Sequence, residues 1–456
     1  MLKDILYYFG IILILNTLPT QAANIVYPKS DDVIIDSPRT FFIGSENPEL
    51  PLKINDKEVS IHPSGGFWHT VELEIGKNIF TIDNGEEVQI YKITRPDNVV
   101  TKQNDPKVTI FDTPVIVEVK EDNVPLRSTP VDWGMNRLVH LQKGHQLAAI
   151  GELNDFYKIQ LGRDDFAWIG KNFIKKTELS EIPKAKILSY SYEENDKKRI
   201  FKLKLSQKCP YTLYEYNGLD LTVFNIEGLP LNKYEFHINH TGKLFGYKSY
   251  YNEDNELVVE VKKQPIINKE KPLEGIKITI DPGHGGAEYG AIGCLGDKEK
   301  DINLAIANKL VQKLKAAGAT VFMTRTNDTY VSLYDRVKIS NGYDSDIFIS
   351  LHNNALPDRL ADQKSSGSEA YYFYFQSKEL AKAILNALTT IAETKNNGVK
   401  AQSFAVLRNT ESLCVLLEIA YKINPADNAR LRDDKFQNKA ADGILKGLEN
   451  YLYDLQ

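Results

Sequence analysis

Beyond Gly275 the pattern of the chain changes, and that change constrains the fold more than any other feature. Upstream, short runs of alternating apolar and polar residues are cut by turn signals. Downstream, apolar β-type runs alternate with helical ones, as in an α/β domain with a mostly parallel sheet. The first downstream run, IKITIDPGHGG, ends in a glycine-rich turn at His284, SDIFISLH ends at His352, and LCVLLE ends at Glu418. Between the histidines, Glu299 opens a stretch that places Ile302, Ala305, Ile306, Leu310, Leu314 and Ala317 on one helical face, with Gly318 as the stop. ATVFMTR and EAYYFYF read as further strands. Further helices are expected around Leu333 to Ser340, from Lys378 to about Thr394, and from about Lys435 to Tyr453.

A chain of 456 residues exceeds one ordinary core and calls for several domains, at roughly 150 residues each. Its 56 basic and 61 acidic residues are interleaved, so no polybasic stripe offers itself to nucleic acid or anionic lipid. The N-terminus has a signal-peptide layout: Lys3, an apolar stretch from Ile5 to Leu15, Pro19, then Ala22 and Ala23. That stretch is shorter than the roughly 18 to 20 residues a bilayer span needs. Export with cleavage near Ala22 is therefore expected, leaving no transmembrane anchor, with a periplasmic location favoured over secretion or the cell wall. Cys209, Cys294 and Cys414 are too few and too scattered for a disulfide framework. Cys414 lies in an apolar run as a small core residue, and Cys294 near the histidine loop lacks the CxxC spacing of thiolate sites.

Two imidazoles and a carboxylate delivered to the ends of regular elements suit a hydrolytic zinc site, which takes three protein ligands and leaves one position open. His284, Glu299 and His352 supply that set. Other readings stay open on spacing alone: packing histidines, a Glu299 present only for the helix dipole, or Glu288 as the carboxylate. Gly283, Gly285 and Gly286 permit the turn that aims His284.

IDPGHGGAEYGAIGCLGDKEKDINLAIANKL, VFMTRTNDTYVSLYDRVKISN, DIFISLHNNA, GSEAYYF and VLLE, in that order, resemble the zinc-dependent N-acetylmuramoyl-L-alanine amidases from about Ile276 to the C-terminus. The resemblance implies zinc ligands at His284, Glu299 and His352 and a catalytic glutamate at Glu418. It also implies support from Asp281, a substrate contact at Asn354, and Arg325 and Arg336 as structural ion partners. The implied reaction is hydrolysis of the amide between N-acetylmuramic acid and the L-alanine of the peptidoglycan stem peptide. Departures surround the catalytic strand: Leu413 and Cys414 precede it, and Ala420 and Tyr421 follow Glu418, where a methyl at Ala420 is expected to narrow the cleft. The segment between His352 and Glu369 is too short for a long inhibitory helix, which implies activity without a partner activator. The rivals are a wall-binding scaffold with an inactive amidase domain and a zinc peptidase cutting within the stem peptide.

Three all-β modules are expected upstream. Residues 24–96, with LKINDKEVSIHPSGGFWHTVELEIGKNIFTI, resemble bacterial Ig-like sandwiches, in which Phe67 and Trp68 either pack or face carbohydrate. Residues 107–176, with VPLRSTP, the KG turn at Lys143 and Gly144, FYKIQL and AWI, resemble the bacterial SH3-type barrel. Trp133, Tyr157 and Trp168 are its groove candidates, with core packing preferred for Trp168. Residues 185–263 weakly resemble a β-domain that accompanies amidases and docks on peptidoglycan. His237 and His240, three apart on a strand, face opposite sides and make a poor metal pair. A monomer with peptidoglycan as its partner, and no nucleic acid, is expected. Weak contacts by such modules with an insoluble polymer raise the effective concentration of a hydrolase domain at 275–456.

Overall fold

A computed structural model describes residues 22–97, 107–215, 218–240, 242–360 and 362–455. The signal-peptide segment lies almost wholly outside the described residues, as does most of the linker RPDNVVTKQNDP. Among the described residues, no helix is long and apolar enough to cross a membrane. The chain divides into two compact units. One runs to Asp97 and takes in Cys294–Gly296 and Leu356–Gln363, and the other holds the remainder.

In the first unit a three-stranded sheet (Asn24–Tyr27, Arg39–Ser45, Gly66–Glu72) accompanies a five-stranded one (Asp32–Ile34, Val88–Arg95, Gly76–Asp83, Lys53–Ile54, Lys57–Glu58). Period-two alternation sends Phe80 and Ile82 into the core while Ile79 stays exposed. Phe67 and Trp68 are both buried, so they pack rather than present a carbohydrate surface.

The second unit begins with a seven-stranded sheet spanning Thr109–Val119 to Ile174–Lys176. A four-stranded and a three-stranded antiparallel sheet follow, between Ile187–Glu194 and Glu256–Lys262. One apolar cluster runs through all three sheets, joining Val117, Leu126 and Leu147 to Phe201, Tyr211 and Leu257. Trp168 is buried, Tyr157 is half-buried, and Trp133 stands 74% exposed. His237 pairs with Asp220 at 2.6 Å, and among the described residues His240 does not join it in a cluster of metal-type ligands.

The C-terminal part of this unit comprises β1 (Lys277–Pro282), α1 (Glu299–Ala316), β2 (Thr320–Met323), α2 (Leu333–Gly342), β3 (Ile347–Asn354), β4 (Ser368–Tyr372), α3 (Lys378–Ile391), β5 (Asn396–Ala401), β6 (Leu413–Tyr421), α4 (Pro425–Arg432) and α5 (Asp434–Tyr453). Its six strands are ordered β2-β1-β3-β6-β4-β5. The sheet is mixed: β2, β1, β3 and β6 run parallel, β4 is antiparallel to β6, and β5 is parallel to β4. Ile278, Ile280, Ile349, Leu351, Val415 and Leu417 are fully buried, which explains the near-continuous apolar runs. On α1, Ile302, Ile306, Leu310 and Leu314 face the same core. From β1 the chain turns to β2 on one side and then returns to β3 on the other. The carboxyl ends of β1 and β3 therefore form a topological switch point, where open α/β sheets place their ligands.

Two elements differ from expectation. β5 carries Gly398 at φ +90° and only one β-branched residue, Val399, so it gives little strand signal. α4 buries a single large apolar residue, Leu431, and rests on its start instead: Pro425 in the first turn and the Asn424 side chain accepting from the amides of Ala426 and Asp427.

Candidate metal centre and catalytic site

The turn after β1 is held by backbone carbonyls that two buried arginines satisfy. Arg336 donates to Pro282 O and His284 O, both at 2.9 Å, and Arg325 donates to Pro282 O, Gly283 O and Lys300 O at 2.8–3.0 Å. Arg336 also pairs with Asp281 at 2.6 Å, an ion pair buried on both sides. Asp281 accepts further from Thr324 and Ser350 and sits 1% exposed, so it anchors strand to turn. The expectation that both arginines are ion partners is corrected for Arg325, whose bonds go to carbonyls because the strained turn leaves several of them inward. His284 itself has φ +62°, a conformation rare for a side-chain-bearing residue and held here by those bonds.

His284, Glu299 and His352 converge with one potential ligand atom each, all within 4.8 Å of one another. His284 Nε2 lies 3.2 Å from one Glu299 oxygen and His352 Nδ1 lies 2.9 Å from the other. Three donors about 2.0–2.2 Å from a tetrahedral zinc ion would lie roughly 3.3–3.6 Å apart, and the two histidine–carboxylate distances, each to a different Glu299 oxygen, are close to that. Glu299, the first residue of α1, is 4% exposed and further fixed by the amides of Ala291 (2.7 Å) and Asn353 (3.1 Å) and by Asn303 one turn along (3.3 Å). Burial opposes its charge, but the hydrogen bonds and charge of the two histidines hold its carboxyl well below the usual range. Glu288 is exposed and outside the cluster, and Cys294 is buried and outside it as well.

Glu418 stands directly across from His352 in the β3–β6 register and from Glu369 in the β4–β6 register. Its Oε2 is buried with no hydrogen-bond partner among the described residues. Burial, then the charges of Glu299 and Glu369, push its carboxyl well above the usual range. Glu369 is itself the centre of a network: Tyr371 and Tyr421 donate to it, Lys400 pairs with it at 2.9 Å, and Asn354 Nδ2 lies 3.4 Å away. Despite burial, the bonds from Tyr371, Lys400 and Tyr421 hold it below the usual carboxylate range. Sequence reasoning missed Glu369 as a neighbour of Glu418. The available signal was period-two spacing, which puts Glu369 and Tyr371 on one face of β4. Ala420 is fully buried in the main apolar cluster, so its methyl faces the core, contrary to the expected narrowing of the cleft.

Residues 278–450 match the family model described as N-acetylmuramoyl-L-alanine amidase. A probable cell wall amidase, LytH, from Staphylococcus saprophyticus is 35% identical over 227 residues, covering 47% of this chain and 74% of that protein. The chain belongs to the N-acetylmuramoyl-L-alanine amidase family. LytH of Staphylococcus epidermidis is 38% identical over 182 residues, and there the alignment covers 40% of this chain and 60% of the relative. Among solved structures, the catalytic domain of CwlV, an N-acetylmuramoyl-L-alanine amidase from Bacillus (Paenibacillus) polymyxa, shows 34% identity over 40% of this chain and 99% of its own, at a TM-score of 0.37. The segment matched by the family model contains His284, Glu299, His352 and Glu418 together.

Proposed function

We infer that this chain is an exported peptidoglycan hydrolase that cleaves the amide between N-acetylmuramic acid and the L-alanine of the stem peptide. The observation that carries this reading is the convergence of His284, Glu299 and His352 beside an unpartnered Glu418 at the switch point of the family segment. His284, Glu299 and His352 would hold zinc. Zinc held there supplies Lewis acidity, polarising a carbonyl and making water nucleophilic near neutral pH. Glu418 accepts a proton from the attacking water and passes it to the departing L-alanine nitrogen. Asn354, bonded toward Glu369, stands near enough to orient the substrate, and Asp281 holds the turn that carries His284.

The domain plan follows from the same reading. A signal peptide at 1–23, an Ig-like sandwich at 24–96, an SH3-like barrel at 107–176, a β-rich wall-binding module at 185–263 and the amidase domain at 275–456 serve a monomeric enzyme in the periplasm or at the cell wall. Between β3 and β4 the described residues hold one short 3-10 turn, Asp358–Leu360, and activity without a partner activator is part of the same reading. Mass spectrometry of digested muropeptides tests the reaction: free peptides beginning with L-alanine are expected, and fragments cut within the stem would sink the amidase assignment.

A further inference from the structure

A groove of about 810 Å³ lies in the second unit, away from the histidine cluster, between strands Val124–Arg127 and Arg137–Leu141, the strand Tyr247–Tyr251, α2 and the loop before β6. Three guanidinium groups enter it. Arg127, 4% exposed, donates to Asn136 and pairs with Asp132 at 3.1 Å, but Asp132 is 78% exposed and screened by solvent. Arg137 donates to His140 Nε2 at 3.1 Å, and its buried Nε has no partner. Among the described residues Arg408 bonds Ser403, through Nε at 3.1 Å and Nη2 at 2.6 Å. Among the described residues neither Arg137 nor Arg408 is in an ion pair.

Arg137 and Arg408 are thus partly buried cations without a carboxylate partner among the described residues, an arrangement that is costly and that proteins ordinarily neutralise. Burial, then the charges of Arg408 and Arg127, push Arg137 down to about 10. His140 is pushed down to about 4 by burial, then by the charges of Arg137, Arg127 and Arg408, so at pH 7 it is neutral and neither adds to the positive charge nor offsets it. Guanidinium forks match the two oxygens of a carboxylate.

The rest of the lining selects among anions. Glu121, Asp122 and Glu411 share the groove with the arginines and disfavour a polyanion. Tyr334 is 65% exposed as an aromatic wall, and Glu411, which accepts from Asn341 at 2.9 Å, is a carboxylate in the groove that can meet an amine. A volume in the range of small-ligand pockets, roughly 300–1,000 Å³, accommodates a short peptide rather than a single ion.

We propose that the Arg127–Arg137–Arg408 groove binds a short zwitterionic peptide through its free carboxylate. The identification of that peptide with the peptidoglycan stem peptide rests on the amidase reading, and makes the groove a second wall contact separate from the catalytic centre. The test is calorimetric titration of the purified chain with the synthetic tetrapeptide L-Ala-γ-D-Glu-L-Lys-D-Ala, with the same peptide amidated at its carboxylates, and with inorganic phosphate. Arg408→Gln on the half-buried loop and Arg137→Gln should each weaken the peptide by at least about tenfold, as should amidation. Arg408→Gln keeps the fold testable if Arg137→Gln does not fold, with melting curves as the control. Peptide affinity indifferent to both arginine variants, or phosphate binding tighter than the peptide, would overturn the proposal. The probe contains no muramoyl amide, so peptide binding with failed muropeptide cleavage refutes only the amidase reading, and cleavage without binding refutes only the groove.

Discussion

Gly283→Ala tests whether the turn after β1 is shaped to seat His352 as a ligand. A Cβ built on Gly283 falls 2.7 Å from His352 Nδ1, and closer still to Cε1 and Nε2 of the same ring. Ordinary contact begins at 3.4 Å, so even the farthest of these three ring atoms must retreat by about 0.7 Å. The ring cannot swing freely, because Nδ1 is held 2.9 Å from Glu299, which is itself fixed by two backbone amides. Metal-ligand distances tolerate only about ±0.2 Å, so the retreat exceeds the tolerance several-fold. Zinc affinity should fall by about 100-fold or more, and turnover by a comparable factor. Strain in the apo protein should cost about 1–3 kcal/mol. Competition with a chelating dye measures the affinity, and thermal melting measures the fold. Gly342→Ala, at the end of α2 with no atom within 4 Å of the new Cβ, is the control, and should change neither quantity appreciably. If Gly283→Ala folds and binds zinc within about threefold of the unsubstituted chain, the steric account of the centre is wrong.

Glu418→Gln leaves the donors of His284, Glu299 and His352 in place, so zinc content should be retained while muropeptide cleavage falls by about 10² to 10⁴; undiminished cleavage would remove the assigned base. Gly443 and Gly447 let α5 lie against α3. A Cβ on Gly443 would stand 2.6 Å from Leu388 Cα, so Gly443→Ala should destabilise by about 1–3 kcal/mol in urea unfolding without altering zinc stoichiometry. His145 is fully buried with Nδ1 donating to Gln142 O at 2.7 Å, and burial pushes it down to about 4 from 6.5. Between those two values the unfolded chain takes up the proton and the folded chain does not, so stability is lost as pH falls through that window, by roughly 3 kcal/mol at most. The difference in unfolding free energy between the unsubstituted chain and His145→Asn, followed from pH 7 to 4, should shift in favour of the variant; a difference independent of pH would contradict it.

The C-terminal half of this fold was legible because its strands are buried on both faces and therefore read as near-continuous apolar runs that stop at a functional residue. Glu418 follows five apolar residues, Leu413 to Leu417, His352 follows a run broken only by Ser350, His284 follows a strand whose Ile278 and Ile280 alternate with buried polar residues, and Glu299 opens a helix whose buried face is periodic. Choosing Glu299 over Glu288 was not possible from spacing. What separates them is that Glu299 sits where two backbone amides and an asparagine one helical turn along converge, a property of the folded chain. β5 and α4 were illegible for a different reason, since neither has an apolar stripe and both are held by neighbours and caps.

The arginine groove is the extreme case of such illegibility. Arg127 and Arg408 are separated by most of the chain, and each alone reads as an ordinary surface cation in a loop or at a strand end. Only the shared packing of the seven-stranded sheet with the C-terminal sheet turns them into a cluster, and only burial makes their charge costly enough to require a ligand. A catalytic centre built on adjacent parallel strands can be read from the ends of those strands, because chain topology alone brings β1, β3 and β6 together. A binding site built between modules cannot, because its chemistry depends on a docking geometry that no local pattern encodes. The same distinction predicts where relatives should differ most: Gly283 and the histidine turn are tied to the catalytic sheet itself, whereas the groove depends on which β module precedes it.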